Sequence, residues 1–291
     1  MTKSTYFLFL IFFLRTTVCS AQEKGKDYLI HIKTEYGEMV AILFDETPKH
    51  KANFVKLARE GYYDSLLFHR VIDGFMIQGG DPDSKKAEPG KRLGTGGPGY
   101  TIEAEILPQY FHERGALSAA RLGDQQNPTR ASSGSQFYVV DGKVTSLDIL
   151  KIDEQKLNPL VQKYFQDPAN KPVFDSVRAF VMMQDMDGYQ KYMAKIRPRI
   201  EKATGGNAEK TLTPERIKAY TTVGGTPQLD DTYTVFGKVI KGLDVLDRIA
   251  AEPKDKADRP LKDIRMTVTV EEKSRKKITK EFGYKYPEPK K

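Results

Sequence analysis

The sequence of 291 residues contains no tryptophan and only one cysteine. A single cysteine cannot build a disulfide framework, and the four histidines show no close pairing at the spacing of zinc ligands, so we expect no metal site. No apolar stretch is long enough to cross a bilayer, which argues against a polytopic membrane protein. The residues that are present, 39% hydrophobic and 30% charged, are typical of a soluble globular protein rather than a disordered chain.

The first residues have the pattern of a cleaved export signal. After a basic residue, the apolar run Tyr6–Leu14 precedes small residues that end at Ala21. This run is too short to span a membrane, so residues 1–21 are predicted to be a signal peptide and the protein to be exported, most simply to a periplasm. Anchoring as a lipoprotein through Cys19 is the alternative, which the bulky Val18 before the cysteine disfavours.

The net charge of +8 is concentrated at the two ends of the chain. Most of the basic excess lies in the leader and in residues 252–291, whereas residues 22–251 are close to neutral. A nucleic-acid-binding protein places its basic residues on the folded surface, so we expect no nucleic-acid partner. Residues 273–291 are interpreted as a solvated basic tail, with weak attraction to an anionic membrane surface as the alternative.

Hydrophobic periodicity divides the rest of the chain into a β-rich body and a helical segment. Alternating runs such as Tyr28–Lys33 predict strands, and amphipathic helices are predicted at 47–60 and 242–251. Residues 141–222 have few strand patterns and several helical ones. The pattern therefore predicts a body formed by residues 22–140 and 223–272, interrupted by a helical insert at 141–222.

One glycine-rich segment, Gly94–Gly99, matches the spacing of a dinucleotide-binding loop but not its context. Such a loop leaves a strand and opens a helix, whereas this one contains Pro98 and runs into the strand-like residues Tyr100–Ile106. We interpret it as a surface loop and expect no nucleotide or other cofactor.

The segment Phe68–Asp81 carries the most information about function. It places Arg70 on an otherwise apolar strand, and Gln78 follows on the next apolar run after a break at Gly74. A charged residue in apolar surroundings needs either a partner or a function. The alternative from composition alone is an arginine whose charged end extends into solvent.

This segment closely resembles the signature of the cyclophilin-type peptidyl-prolyl cis-trans isomerases. Three further blocks resemble that family in the same order: Gly115–Ala120, Gly134–Val139 and Val235–Leu243. The resemblance covers about 27–140 and 223–272. It implies a mainly β fold, an eight-stranded antiparallel barrel capped by two helices, with the helical insertion added to it. In this family the substrate binds in a groove on the outside of the barrel.

The resemblance also implies the roles of individual residues. Arg70 corresponds to the donor that hydrogen-bonds the prolyl nitrogen, and Gln78 to the residue that orients this arginine. Strand alternation places Gln136 and Tyr138 on one face and leaves Phe137 for the core. The residues that resemble the family's substrate-binding set are Phe75, Met76, Ala120, Arg121, Gln136, Tyr138, Leu229 and Tyr233.

Four positions depart from the family pattern. Tyr138 stands where the family has phenylalanine, and Arg121 where it has asparagine. At the pocket rim, Gln228 stands where many eukaryotic members have tryptophan, and Tyr233 where they have histidine. We expect catalysis to survive these changes and binding of the cyclosporin drug class to weaken.

The resulting prediction is an isomerase, or rotamase, that acts on proline-containing polypeptides and on unfolded exported proteins without a cofactor. The reaction rotates an amide bond and breaks none, so it needs no nucleophile and no acid–base pair. The alternative is a non-catalytic module that binds proline peptides or a holdase chaperone. For the insert, an inert appendage, a lid or client-binding surface, and a dimerisation element all remain open.

Overall fold

The computed structural model describes residues 25–287, so the predicted leader 1–21 and Cys19 lie outside the described residues. Ten strands follow the chain as β1 Lys26–Thr34, β2 Gly37–Leu43, β3 Phe68–Ile72, β4 Met76–Gly79, β5 Thr101–Ile102, β6 Ala116–Ala119, β7 Ser132–Ser133, β8 Phe137–Val140, β9 Val235–Lys241 and β10 Thr267–Ser274. The α-helices are α1 Pro48–Arg59, α2 Leu147–Leu150, α3 Glu154–Tyr164, α4 Lys171–Met182, α5 Met186–Thr204, α6 Pro214–Thr222, α7 Leu243–Ala250 and α8 Arg275–Phe282.

Eight of the strands form one curled antiparallel sheet in the order β10-β1-β2-β9-β6-β8-β4-β3. Backbone hydrogen bonds join its two ends, because the Phe68 amide donates to the Ile264 carbonyl at 2.9 Å and the Met266 amide donates to the Leu66 carbonyl at 2.8 Å. The remaining strands, β5 and β7, pair with each other beside the barrel. The predicted eight-stranded antiparallel barrel is therefore confirmed.

Helices α1 and α7 pack against the barrel core, as predicted for the two capping helices. Phe54 of α1 and Leu246 of α7 belong to one buried cluster with the inward-facing strand residues Ile30, Phe137 and Phe236. Pro48 stands in the first turn of α1 and Gly242 adopts a positive φ immediately before α7, which explains why the sequence located both helices closely.

The outer face of β1 and β2 is covered by the C-terminal segment. Ile278 of α8 is fully buried against Leu29, Val40 and Ile42, and Phe282 packs against the same cluster. Residues 275–287 thus differ from the solvated tail expected from their charge. The high lysine content of this segment did not indicate that one face of α8 is apolar. Lys276, Lys277 and Lys280 are exposed, as expected.

The segment 141–222 is helical, and helices α2 to α6 lie within it. It has a small core of its own, formed by Leu157, Tyr164, Val173, Met193, Ile196, Ile200 and Ala208. Its two ends lie side by side, since the Gly225 amide donates to the Lys143 carbonyl at 3.1 Å. A Cβ atom on Gly142 would lie 2.4 Å from the Gly225 Cα, so this crossing requires glycine.

Candidate functional site

The β3–β4 hairpin places Arg70 and Gln78 directly opposite each other. Gln78 in turn pairs with Tyr138 of β8, so Arg70, Gln78 and Tyr138 form a row across three strands and share one face of the sheet. Ile72, two residues after Arg70, lies against an apolar cluster on that face. Arg70 therefore projects from the face of the sheet that carries this cluster, with its side chain 41% exposed and its Nε 3.5 Å from Asp258 Oδ2.

Two amide side chains continue from Arg70 toward the glycine-rich loop. The Gln78 Nε2 donates to Gln136 Oε1 at 3.0 Å, and the Gln136 Nε2 donates to the Gly96 carbonyl at 2.8 Å. Because each amide has a defined partner, the orientation of both side chains is set. The glycine-rich loop Gly94–Gly99, which we interpreted as a surface loop, thus fixes the Gln136 side chain through the Gly96 carbonyl.

The apolar cluster, which we call the pocket cluster, contains six of the ten residues predicted for the site. Met76 and Tyr138 are buried in it, and the half-buried members at its edge include Phe75, Ala120, Leu229 and Tyr233. Phe137 lies in the barrel core, on the opposite side of β8, as strand alternation predicts. The structure thus brings residues from four separate parts of the sequence into one apolar cluster.

Arg121 is engaged by its own protein rather than left open to a ligand. Its guanidinium lies 4.3 Å from the centre of the Tyr233 ring, and its Nε donates to the Thr232 carbonyl at 2.9 Å. Its Nη1 also pairs with Asp124 at 2.6 Å. The side chain therefore packs against Tyr233 at the edge of the pocket cluster, and Asp124 compensates its positive charge.

The Tyr138 hydroxyl belongs to a buried polar network that the sequence did not reveal. It lies 2.9 Å from His112 Nε2, and His112 Nδ1 lies 3.1 Å from Asp230 Oδ1. Burial raises the pKa of Tyr138 well above its ordinary value, so the phenol stays protonated. The available signal was the buried phenol itself, since a hydroxyl placed in an apolar site needs a partner.

The site offers hydrogen-bond donors on the same face as an apolar cluster, which suits a ligand with an apolar ring next to a polar backbone. Within residues 25–287, no group of three or more His, Cys, Asp or Glu side chains could hold a metal ion. Over the same residues, no helix is long and apolar enough to span a bilayer.

Comparison with known proteins gives three relevant similarities. Residues 29–156 and 207–271 match the family described as "Cyclophilin type peptidyl-prolyl cis-trans isomerase/CLD". A Staphylococcus haemolyticus protein that is named as a peptidyl-prolyl cis-trans isomerase is 32% identical over 84% of this chain and 91% of its own length. A Streptococcus pyogenes protein named as a bifunctional phosphatase and peptidyl-prolyl cis-trans isomerase is 33% identical over 81% of this chain, which spans only 37% of that longer protein.

Among solved structures, a cyclophilin-type peptidyl-prolyl cis-trans isomerase from Cryptosporidium parvum aligns with a TM-score of 0.49 and 23% identity. The alignment covers 84% of this chain and 98% of that one.

Proposed function

We propose that this chain, which belongs to the cyclophilin-type peptidyl-prolyl cis-trans isomerases, accelerates Xaa–Pro rotation in exported polypeptides with Arg70 as the catalytic donor. The isomerase activity and the binding of proline-containing peptides follow from the family. The position of Arg70 beside the pocket cluster is the observation that supports its catalytic role.

The reaction determines what such a donor must do. Rotation about the prolyl amide crosses a barrier of about 18–20 kcal/mol, because resonance is lost as the bond twists. In the twisted state the nitrogen regains its lone pair and becomes a hydrogen-bond acceptor. A donor that acts on this nitrogen therefore stabilises the transition state more than either planar form. An arginine serves well, since its charge does not depend on pH in the physiological range.

The other residues of the site bind the substrate. The pocket cluster, with Phe75, Met76 and Leu229, holds the proline ring by apolar contact. Gln78 and Gln136 contact the substrate backbone, a role supported by the hydrogen bond that joins their side chains. No residue of this set has to exchange a proton or form a covalent bond. Exchange NMR on a Xaa–Pro peptide tests the assignment, and equal rates with wild type and Arg70→Ala would overturn it.

Export of the protein is supported by the leader pattern, with the apolar run Tyr6–Leu14 followed by small residues. Expression of the full chain in a bacterium, followed by mass measurement of the mature protein, tests it. We expect a product that begins after Ala21. A mass that includes a lipid on Cys19 would favour the lipoprotein alternative, whereas an intact Met1 in a protein retained in the cytoplasm would contradict export.

The rim of the groove predicts weak cyclosporin binding. Gln228 is exposed in the short 3-10 turn Pro227–Leu229, where many eukaryotic family members carry tryptophan. A flexible amide offers little of the flat apolar area that a large apolar ring system needs. Competition between cyclosporin and a labelled Xaa–Pro peptide should show weak inhibition of the wild type and stronger inhibition of Gln228→Trp. Tight binding by the wild type, or no gain in the variant, would contradict this prediction.

A further inference from the structure

The buried network behind the pocket cluster is connected to the helical insert through Tyr220. Tyr220 belongs to α6, the last helix of the insert, and its hydroxyl donates to Asp230 with both carboxylate oxygens at 2.7 Å. Burial, together with the charge of Asp230, raises the pKa of Tyr220 far above its ordinary value, so this hydroxyl is always a donor. Asp230, which lies close to β9 in the sequence, is thus held by a side chain of the helical segment 141–222.

Asp230 in turn contacts His112, which hydrogen-bonds Tyr138 of the pocket cluster. Its Oδ1 also accepts from the His112 backbone amide at 2.9 Å and lies 3.1 Å from His112 Nδ1. A carboxylate only accepts, so Nδ1 donates to Asp230, and Nε2 and the Tyr138 hydroxyl share the hydrogen bond on the other side of the ring. The imidazole and the Tyr138 ring stack at an interplanar angle of 11°. The orientation of Tyr138 therefore depends on His112, and that of His112 on Asp230.

Helix α6 holds the same stretch of chain at a second point. Arg216, one turn before Tyr220, makes a two-pronged contact with Asp231 at 2.9 and 2.7 Å and is itself buried. Asp230 and Asp231 lie between the pocket residues Leu229 and Tyr233. The backbone of the rim is thus clamped to the insert by charge-assisted hydrogen bonds, which are among the stronger kinds.

Tyr220, at the insert end of this network, is held by several further contacts. The Tyr220 carbonyl accepts from the Thr145 amide at 2.9 Å, which ties α6 to the opposite end of the insert. The Tyr220 ring packs edge-on against Phe111, the neighbour of His112. A Cβ atom on Gly225 would lie 2.6 Å from Tyr220 Cε1, so the glycine makes room for this ring.

We infer that Tyr220 is a positioning residue, through which the insert sets the placement of Tyr138 in the proline pocket by way of Asp230 and His112. This inference rests on the proposed function, since it assigns the insert a part in substrate binding by the same groove. Its consequence is that the insert influences the affinity for Xaa–Pro peptides without touching them.

A double-mutant cycle between Tyr220→Phe and Tyr138→Phe tests the connection. Loss of the Tyr220 hydroxyl should raise KM for a Xaa–Pro peptide about three- to tenfold and change kcat less, because it loosens a binding surface but spares Arg70. In the Tyr138→Phe background, which lacks the hydroxyl that the network orients, the same substitution should have no further effect on KM. An equal effect of Tyr220→Phe in both backgrounds would overturn the inference, as would no effect in either.

Tyr164→Phe is the matched control, because Tyr164 is a buried insert tyrosine whose hydroxyl finds no hydrogen-bond partner within residues 25–287. It should leave KM and kcat unchanged. Thermal unfolding of each variant separates lost positioning from lost folding. An inactive wild type would count against the proposed function, whereas an active wild type that loses its activity in Arg70→Ala but is insensitive to Tyr220→Phe would refute only the role of Tyr220.

Discussion

Replacing Arg70 with alanine is expected to lower kcat/KM for Xaa–Pro isomerisation by about 10²–10³-fold, the range found when a preorganised transition-state donor is removed. The fold should survive, because Arg70 lies on the barrel surface and its contact with Asp258 is a half-exposed ion pair at 3.5 Å. Such pairs contribute about 0–1 kcal/mol to the free energy of unfolding. Exchange NMR on a Xaa–Pro peptide measures the rate, and thermal unfolding confirms that the variant is folded.

Two further variants make this result specific. Arg70→Lys keeps the positive charge but loses the planar group with several donors, so it should recover only part of the rate. Arg248→Ala removes an exposed arginine of α7 that pairs with Asp244, away from the groove, and should leave the rate unchanged. If Arg70→Ala retained the wild-type rate, the assignment of Arg70 as the donor would be wrong.

Replacing Lys51 with alanine is expected to destabilise the protein by about 3–5 kcal/mol, because it removes one partner of a buried ion pair. The Lys51 ammonium lies 2.7 Å from Asp27 Oδ1 and 2.5 Å from Asp45 Oδ1, and it also donates to the Leu43 carbonyl at 3.3 Å. Arg275 approaches both carboxylates and retains part of the compensation, which favours the lower end of that range. Denaturant unfolding at neutral pH measures the change in the free energy of unfolding.

Lys49→Ala is the control for this substitution. Lys49 belongs to the same helical turn, but it is exposed and pairs with Glu103, so its loss should change the free energy of unfolding much less than loss of Lys51. Similar losses for the two variants would contradict a special role for the buried pair.

The same site predicts how stability depends on pH. Burial alone would raise the pKa of Asp45, but the hydrogen bonds from Lys51 and Arg275 outweigh it and lower this pKa below its ordinary value. A carboxyl whose pKa is lower in the folded state stabilises the fold above its unfolded pKa, and this contribution is lost as the pH falls through the folded pKa. The wild type should therefore lose stability between about pH 5 and pH 2 more steeply than Lys51→Ala.

Much of the barrel could be predicted because local pattern and fold agree there. The helix predicted at 47–60 is observed as Pro48–Arg59, since proline in the first turn marks its start. Local sequence patterns gave the wrong secondary structure where tertiary contacts determine it. The strand-like run Tyr100–Ile106 forms a strand only at Thr101–Ile102, and the lysines around Ile278 concealed a helix that docks on the barrel.

The site divides in the same way. The resemblance supplied Arg70, Gln78 and six residues of the pocket cluster, most of which stand in short conspicuous blocks. The network of His112, Tyr138, Tyr220 and Asp230 could not be predicted, since its members come from four separate parts of the sequence. The sequence tests His112 only against metal-ligand spacing, and the resemblance assigns Tyr138 to the substrate-binding set without indicating a partner for its hydroxyl. Their contacts depend on strand register and on how α6 docks, which no local pattern contains.

The adjacency of Gly142 and Gly225 has a consequence for how the chain folds. Strands β8 and β9 both pair with β6, yet residues 141–234, which include the whole insert, separate them in sequence. For a flexible connection of that length, closing the loop would cost about 2–3 kcal/mol more than for one of a few residues. An insert that forms its own core first, with its ends already together, shortens the effective connection. The order of events, insert before barrel closure, would then determine how fast the barrel assembles.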